Sequence, residues 1–243
     1  RGPRVRWSSQ APALPSELPV LPLARTVGFP LTLQPLAVNR PVSIESVNRA
    51  LGSDRFLLAG HDWGGIVAWQ LAARDPKRVH RVAILNAPHP ATLLPYAMTH
   101  PLQLVRSAYA GFFQLPWAPE AVLRFGGHAA LVGALTHSSL PGTFDEHALE
   151  MYRSAWSRSG ALTSMLNWYR AMPLARTLDE RIAVPVRVVW GDADAALESG
   201  LAEAALARCN DGDVIHLPEA THWLHHEDPA RVNALLVEFL RAA

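Results

Sequence analysis

Phe56-Leu57-Leu58-Ala59-Gly60-His61-Asp62-Trp63-Gly64-Gly65-Ile66-Val67-Ala68-Trp69 is the stretch that decides the fold. An apolar run of strand character stops at Gly60, and a candidate nucleophile follows two residues later. Gly64 and Gly65 then open an amphipathic run of helical character. Strand, sharp turn and helix in that order form a nucleophile elbow, usually written G-x-S-x-G. Small residues flank its centre because bulky ones clash in so tight a turn. The central side chain is held clear of the strand, at a helix N-terminus that favours an anion. Here that side chain is Asp62. A carboxylate is a poor acyl nucleophile, but it can displace a leaving group from an alkyl carbon and leave an ester on the protein. Releasing the ester needs a histidine that activates water and an acid that orients the histidine. The plain alternative is that Asp62 merely caps a helix after a glycine turn; His61, Trp63 and the second glycine weigh against it.

The remaining members are expected downstream, in the order nucleophile, acid, histidine. Trp190-Gly191-Asp192-Ala193-Asp194 lies just past a strand end, where open parallel sheets place their sites. Either aspartate can orient a histidine, and Asp192 reads more simply as a solvated turn carboxylate. Ala220-Thr221-His222-Trp223 follows the last strand, which puts His222 on the same sheet edge as Asp62. His225, His226, Glu227 and Asp228 come next and read as surface residues. His222 with His226 has metal-ligand spacing, but Pro229 follows closely and no H-E-x-x-H arrangement or third ligand is present. The other histidines, including His216, have no evident partner.

With 243 residues, 49% hydrophobic and 18% charged, the chain is long enough for one domain with a large insertion. A net charge of +1 gives no reason to expect nucleic acid or an anionic membrane as partner. The single cysteine, Cys209, excludes an intrachain disulfide and a CxxC site. No run is long enough to span a bilayer, and no compact basic-then-apolar signal opens the sequence, so a cytoplasmic location is the default expectation. The first residue is Arg1, not Met, as in a fragment.

Residues 1–42 are dense in proline (Pro12, Pro15, Pro19, Pro22, Pro30, Pro35 and Pro41), which argues for an irregular segment. Ser43–Gly52 reads as a helix closed by glycine. A strand at 56–59, a helix to about Arg74 and a strand at Val79–Leu85 follow. Residues 88–183 lose the strand–helix alternation and read as an aromatic-rich helical cap inserted into an α/β core formed by 43–87 and 184–243. The core resumes with a buried strand at Pro185–Trp190, a helix near 198–208, a strand at Val214–Leu217 and a closing helix from Pro229 to Leu240. Such alternation implies a parallel sheet flanked by helices.

Gly60-His61-Asp62-Trp63-Gly64-Gly65, Asn86 with Pro88-His89-Pro90, and Thr221-His222-Trp223 together resemble the epoxide hydrolases of the α/β-hydrolase superfamily, over about residues 43–243. Tyr109-Ala110-Gly111-Phe112-Phe113-Gln114-Leu115-Pro116 and Asn167-Trp168-Tyr169-Arg170 resemble the family segments that carry two epoxide-binding tyrosines. The resemblance implies an α/β-hydrolase fold with a mostly parallel sheet and an inserted helical cap. It selects Asp194 as the acid and implies catalytic roles for Asp62, Asp194, His222, Tyr109 and Tyr169. Trp63 would give an oxyanion donor through its backbone N–H. Phe113, Trp117 and Trp168 are candidate substrate contacts, although core packing accounts for them equally well. The implied substrates are a small apolar epoxide and water, with no metal or cofactor; oligomeric state stays open.

The family also carries a His-Gly-x-Pro strand end and an Asp-x-Arg-Gly turn before the elbow. Val27-Gly28-Phe29-Pro30 echoes the first with Val for His, too near the elbow, and the second is absent. The N-terminal strands are therefore expected to be incomplete, leaving the strand that carries Asp62 as a sheet edge. Two alternatives follow from the residues. A haloalkane dehalogenase shares the Asp nucleophile and would hold halide with Trp63, Trp117 and Trp168. A catalytically impaired relative would account for the altered N-terminal region.

Overall fold

The computed structural model describes Val5–Arg6, Glu17–Leu18 and residues 55–174 and 181–241. The expected helix at 43–52, the Val27–Pro30 segment and nearly all of the proline-rich 1–42 stretch lie outside the described residues. β1 (Val5–Arg6) and β2 (Glu17–Leu18) form a short antiparallel pair. The main sheet holds β3 (Phe56–His61), β4 (Val79–Leu85), β5 (Val186–Gly191) and β6 (Gly212–Leu217), in that order and all parallel. Among the described residues β3, the strand leading into Asp62, is therefore an end strand.

The sheet buries both faces, as parallel sheets do. Because side chains alternate along a strand, Val186, Val188 and Trp190 of β5 face one side. There they meet Val82 and Ile84 of β4, Ala68, Trp69 and Ala72 of α1 (Trp63–Arg74), and a helix between β5 and β6 (Gly200–Leu206). Val189 and Leu85 face the other side, against Leu217, Leu224 and Val232 of the C-terminal region. Arg187 shares that second face and is 9% exposed. Its charge is matched by Asp213 at 2.7 Å and Glu238 at 3.1 Å, as burial of a charge requires.

Among the described residues, six α-helices lie between β4 and β5: α2 (Pro90–Thr99), α3 (Pro101–Arg106), α4 (Ala108–Phe112), α5 (Ala118–His137), α6 (Glu146–Trp156) and α7 (Ala161–Ala171). Pro90 and Pro101 sit in the first turns of their helices, where a missing N–H costs nothing. α5 is broken at Phe125–His128, where Gly126, Gly127 and His128 take positive φ. Leu123, Leu135, Phe144, Leu149, Tyr152, Trp156, Leu162 and Leu166 form a core for this region apart from the sheet's own, and Trp223 of the C-terminal region packs against it. The remaining elements are α8 (Gly200–Leu206), α9 (Leu224–Glu227) and α10 (Pro229–Arg241). α9 is absent from the sequence reading; four residues before a proline are too short to show a period.

Candidate active site

β3 ends at His61 and α1 begins at Trp63, so the chain reverses direction through Asp62 alone. Asp62 has φ 51° and ψ −125°, a region costly for a residue with a side chain. The glycines make it possible. A Cβ on Gly60 would lie 2.6 Å from the Gly64 carbonyl carbon and 2.8 Å from the Gly65 nitrogen, and one on Gly65 would overlap the Ala87 methyl. Asp62 occupies the N-cap position of α1, yet its side chain makes no capping hydrogen bond and is 45% exposed. The capping alternative therefore fails: the turn presents a carboxylate it does not use. Trp63, as the first residue of α1, has a backbone N–H without an intrahelical partner.

The C-terminal ends of the neighbouring strands bring two more side chains to this point. Asp194 follows β5 and is 2% exposed, and His222 follows β6. His222 Nδ1 lies 2.7 Å from Asp194 Oδ2, and Nε2 lies 3.6 Å from Asp62 Oδ1. Burial works against charge on His222, but Asp194 and then Asp62 outweigh it and push the imidazole up to about 9. Burial likewise works against the Asp194 carboxylate. The His222 charge and hydrogen bond, with those of Asn86 and the Ala196 N–H, hold it below the usual range nonetheless. Asp194 Oδ1 also accepts from the backbone N–H groups of Ala196 and Leu197 at 2.8 and 3.0 Å.

Asn86 is a member of this cluster that the sequence yields only as part of a resemblance, without a role. It is fully buried at the end of β4, with φ 36°. Its Nδ2 donates to Asp194 Oδ2 at 2.8 Å and to the Gly191 carbonyl at 3.1 Å, while its Oδ1 accepts from the Gly191 N–H at 2.7 Å. Asparagine tolerates that positive φ better than most residues, but the conformation itself is visible only in the structure.

Asp192 does not stand alone in solvent. It lies 2.6 Å from His216 Nδ1, and Glu203 lies 2.7 Å from His216 Nε2. His216 thus has partners that its sequence neighbours do not reveal. Nor are His225 and His226 surface residues. Both are partly buried, with rings 4.4 Å apart, and His225 is 4.3 Å from the His61 ring. Burial, followed by the neighbouring imidazoles His226 and His222, lowers His225 to about 3. Among the described residues, no group of three or more histidine, cysteine or acidic side chains is placed to hold a metal ion.

Tyr109 of α4 and Tyr169 of α7 meet edge to face, centroids 5.8 Å apart. Tyr169 also stands on edge to the Trp63 indole at 5.0 Å. Burial first, then Tyr109 and the Asp62 carboxylate, hold Tyr169 well above the ordinary phenol range. Tyr109 keeps 42% of its surface exposed, but its hydroxyl end is desolvated and near Asp62, which pushes it up to about 12. Both phenols stay protonated at neutral pH and remain hydrogen-bond donors. Gln114 Nε2 donates to the Tyr169 carbonyl at 2.8 Å, and Arg170 Nε to the Phe113 carbonyl at 3.1 Å, so the two tyrosine-bearing segments are bound to each other. Phe113 packs on Tyr169 at 4.9 Å and Trp168 lies 5.6 Å from Trp63. Trp117 is 77% exposed and is not brought to this cluster.

A parallel sheet with an acid-bearing elbow after one strand, an aspartate after another and a histidine after the last defines an α/β-hydrolase. The chain belongs to the alpha/beta hydrolase family, whose pattern it matches over residues 6–235. It is 38% identical over 190 residues to the AB hydrolase superfamily protein YfhM of Bacillus subtilis, covering 77% of this chain and 66% of that one. It is 34% identical over 208 residues to epoxide hydrolase 4 of Homo sapiens, covering 82% and 57%. The chain thus spans less than two thirds of these relatives. Its fold is similar to the crystal structure of an epoxide hydrolase from Bacillus megaterium in complex with an inhibitor, with TM-score 0.71 and 27% identity over 82% of this chain and 74% of that one. No helix among the described residues is long and apolar enough to cross a membrane.

Proposed function

We propose that this chain hydrolyses an organic epoxide to a vicinal diol through an ester on Asp62, and that residues 88–183 serve as a cap supplying the two phenols. The observation that carries the reading is the free Asp62 carboxylate on its elbow, with His222 on one side and the Tyr109–Tyr169 pair nearby. The relatives named as epoxide hydrolases support it.

At rest His222 is imidazolium, Asp62 a carboxylate and the tyrosines phenols. Asp62 attacks a ring carbon, the carbon–oxygen bond of the ring breaks, and a phenol gives its proton to the departing oxygen, where negative charge develops. The ester carries no charge, so the attraction that helped raise His222 disappears. His222 returns a proton to the phenolate and becomes a free base. It then takes a proton from water as the oxygen attacks the ester carbonyl, with the Trp63 N–H at the developing oxyanion. The diol leaves, Asp62 is again a carboxylate and His222 again imidazolium. Protons balance over the cycle, with one water consumed. Phe113 and Trp168 give the reacting carbon an apolar surround.

A halide-releasing reaction uses the same nucleophile, and the Trp63–Trp168 pair is the feature that favours it. A single turnover of styrene oxide in 18O-labelled water, with protein in excess, separates these outcomes. The proposal expects unlabelled diol first, because its new oxygen comes from Asp62, and no diol from Asp62→Ala. Labelled diol in the first turnover would mean direct attack by water. Chloride release from a haloalkane, without any diol, would favour the alternative.

A further inference from the structure

His61 lies immediately before the nucleophile, and its ring packs beside that of His222. Its Nε2 is 2.8 Å from the backbone carbonyl of His222, a contact between residues 161 apart in sequence. A carbonyl only accepts, so His61 donates through Nε2–H. The ring packs at 4.6 Å from the His222 ring, 4.3 Å from His225 and 5.8 Å from Trp223. His61 is thus bonded to the residue that bears the base and covalently joined to the residue that bears the nucleophile.

We propose that His61 is a positioning residue that sets the distance between nucleophile and base by tying the His222 carbonyl to the end of β3. This rests on the reading of His222 as the base. The rest of the His222 loop is held from other directions. Glu227 accepts from the Thr221 backbone N–H at 2.8 Å, and Trp223 Nε1 donates to Ser138 Oγ at 2.8 Å. Those bonds fix the loop to α9 and to the helical region between β4 and β5. They do not fix it to the strand that carries Asp62; the His61 bond does. The gap it governs is the 3.6 Å between His222 Nε2 and Asp62 Oδ1, where a small backbone shift moves the base off the water it must activate. Burial, reinforced by His222 and His225, lowers His61 well below its ordinary range. The ring is therefore a neutral donor while His222 holds the charge, and the two imidazoles do not compete for a proton.

The test compares His61→Leu, which fills the space without a donor, with His61→Gln, which returns an amide N–H at similar reach. Ester formation and ester hydrolysis are timed separately by quenched-flow mass measurement with styrene oxide. Histidine proton resonances follow the His222 Nδ1–H bond to Asp194 in the protein without substrate. The expected result for His61→Leu is an ester that forms at nearly the wild-type rate and hydrolyses about tenfold or more slowly, with the downfield Nδ1–H signal broadened or lost. His61→Gln should recover most of both. Equal slowing of the two steps, or a Gln variant no better than Leu, would overturn the proposal. The resonance decides it even without turnover: an unaltered signal in His61→Leu refutes the positioning role. A missing ester in wild type, with the resonance responding as expected, would fault the reaction and not the role of His61.

Discussion

Replacing Asn86 by alanine removes one buried side chain and three hydrogen bonds at once. The bond to Asp194 is made to a charged acceptor, and losing one of that kind costs about 1.5–3 kcal/mol. The Gly191 N–H loses its Asn86 partner in a site where Asn86 itself is fully buried, worth about 1–3 kcal/mol when nothing replaces it, while the Gly191 carbonyl loses one donor but keeps the Asp194 N–H at 3.3 Å. Water entering the space left by the amide reduces that second part, so we expect a total of about 3–5 kcal/mol. Alanine at φ 36° adds strain that glycine avoids, about 1 kcal/mol. For a chain of this size the combined loss of about 4–6 kcal/mol corresponds to a fall in Tm of roughly 8–24 °C. Urea unfolding of wild type, Asn86→Ala and Asn86→Gly, followed by circular dichroism, measures it. The Gly variant should lie about 1 kcal/mol above the Ala variant, and both well below wild type. A midpoint for Asn86→Ala within about 1 kcal/mol of wild type would show that these bonds do not hold the Asp194 turn.

Other expectations follow from single contacts. Gly60→Ala sets a methyl against the Gly64 and Gly65 backbone, which cannot yield; it should destabilise by about 3 kcal/mol or more, whereas Gly111→Ala, with nothing within 4 Å, should be neutral or slightly stabilising by urea midpoint. Burial lowers His216, but Asp192 and Glu203 outweigh it and raise the imidazole overall. Its stabilising effect is thus present below the unfolded pKa of about 6.5 and lost as pH rises through the higher folded value. His216→Ala should therefore cost more stability at pH 6 than at pH 9, and equal losses at both would contradict the pairing. Tyr109→Phe and Tyr169→Phe each remove one donor to the ring oxygen and should slow ester formation about 10²–10³-fold, leaving ester hydrolysis unchanged in stopped-flow traces.

How much of this is readable in the sequence depends on how local the cause is. The elbow is legible because its glycines act on neighbours four or five residues away, and β4 is legible because a strand buried on both faces reads as an apolar run. β6 begins two residues before the apolar run that marks it, since Gly212 and Asp213 pair with β5 without being apolar. His222 follows from chain order and from lying beyond a strand end; the same reasoning narrows the acid to Asp192 or Asp194, and only the family resemblance separates those two. Asn86 and His61 escape because their bonds join residues 105 and 161 apart, and nothing local marks either as a donor. His225 and His226 look like surface residues because they adjoin Glu227 and Asp228; the rings of His61 and Trp223 bury them instead. Trp117 shows the converse. Its aromatic neighbours suggest a shared pocket, yet φ 50° at the start of α5 turns the chain there, and the indole stays in solvent. Among the described residues β3 is outermost, but the expectation of incomplete N-terminal strands falls on residues outside the described ones.

The central claim is that Asp62 carries substrate as an ester that His222 then releases. Intact-protein mass measurement after a brief pulse of styrene oxide tests it most directly in wild type, His222→Ala and Asp62→Ala. The account expects an adduct of substrate mass to accumulate in His222→Ala and never in Asp62→Ala. An adduct that persists in Asp62→Ala, or none in a folded His222→Ala protein, would contradict it.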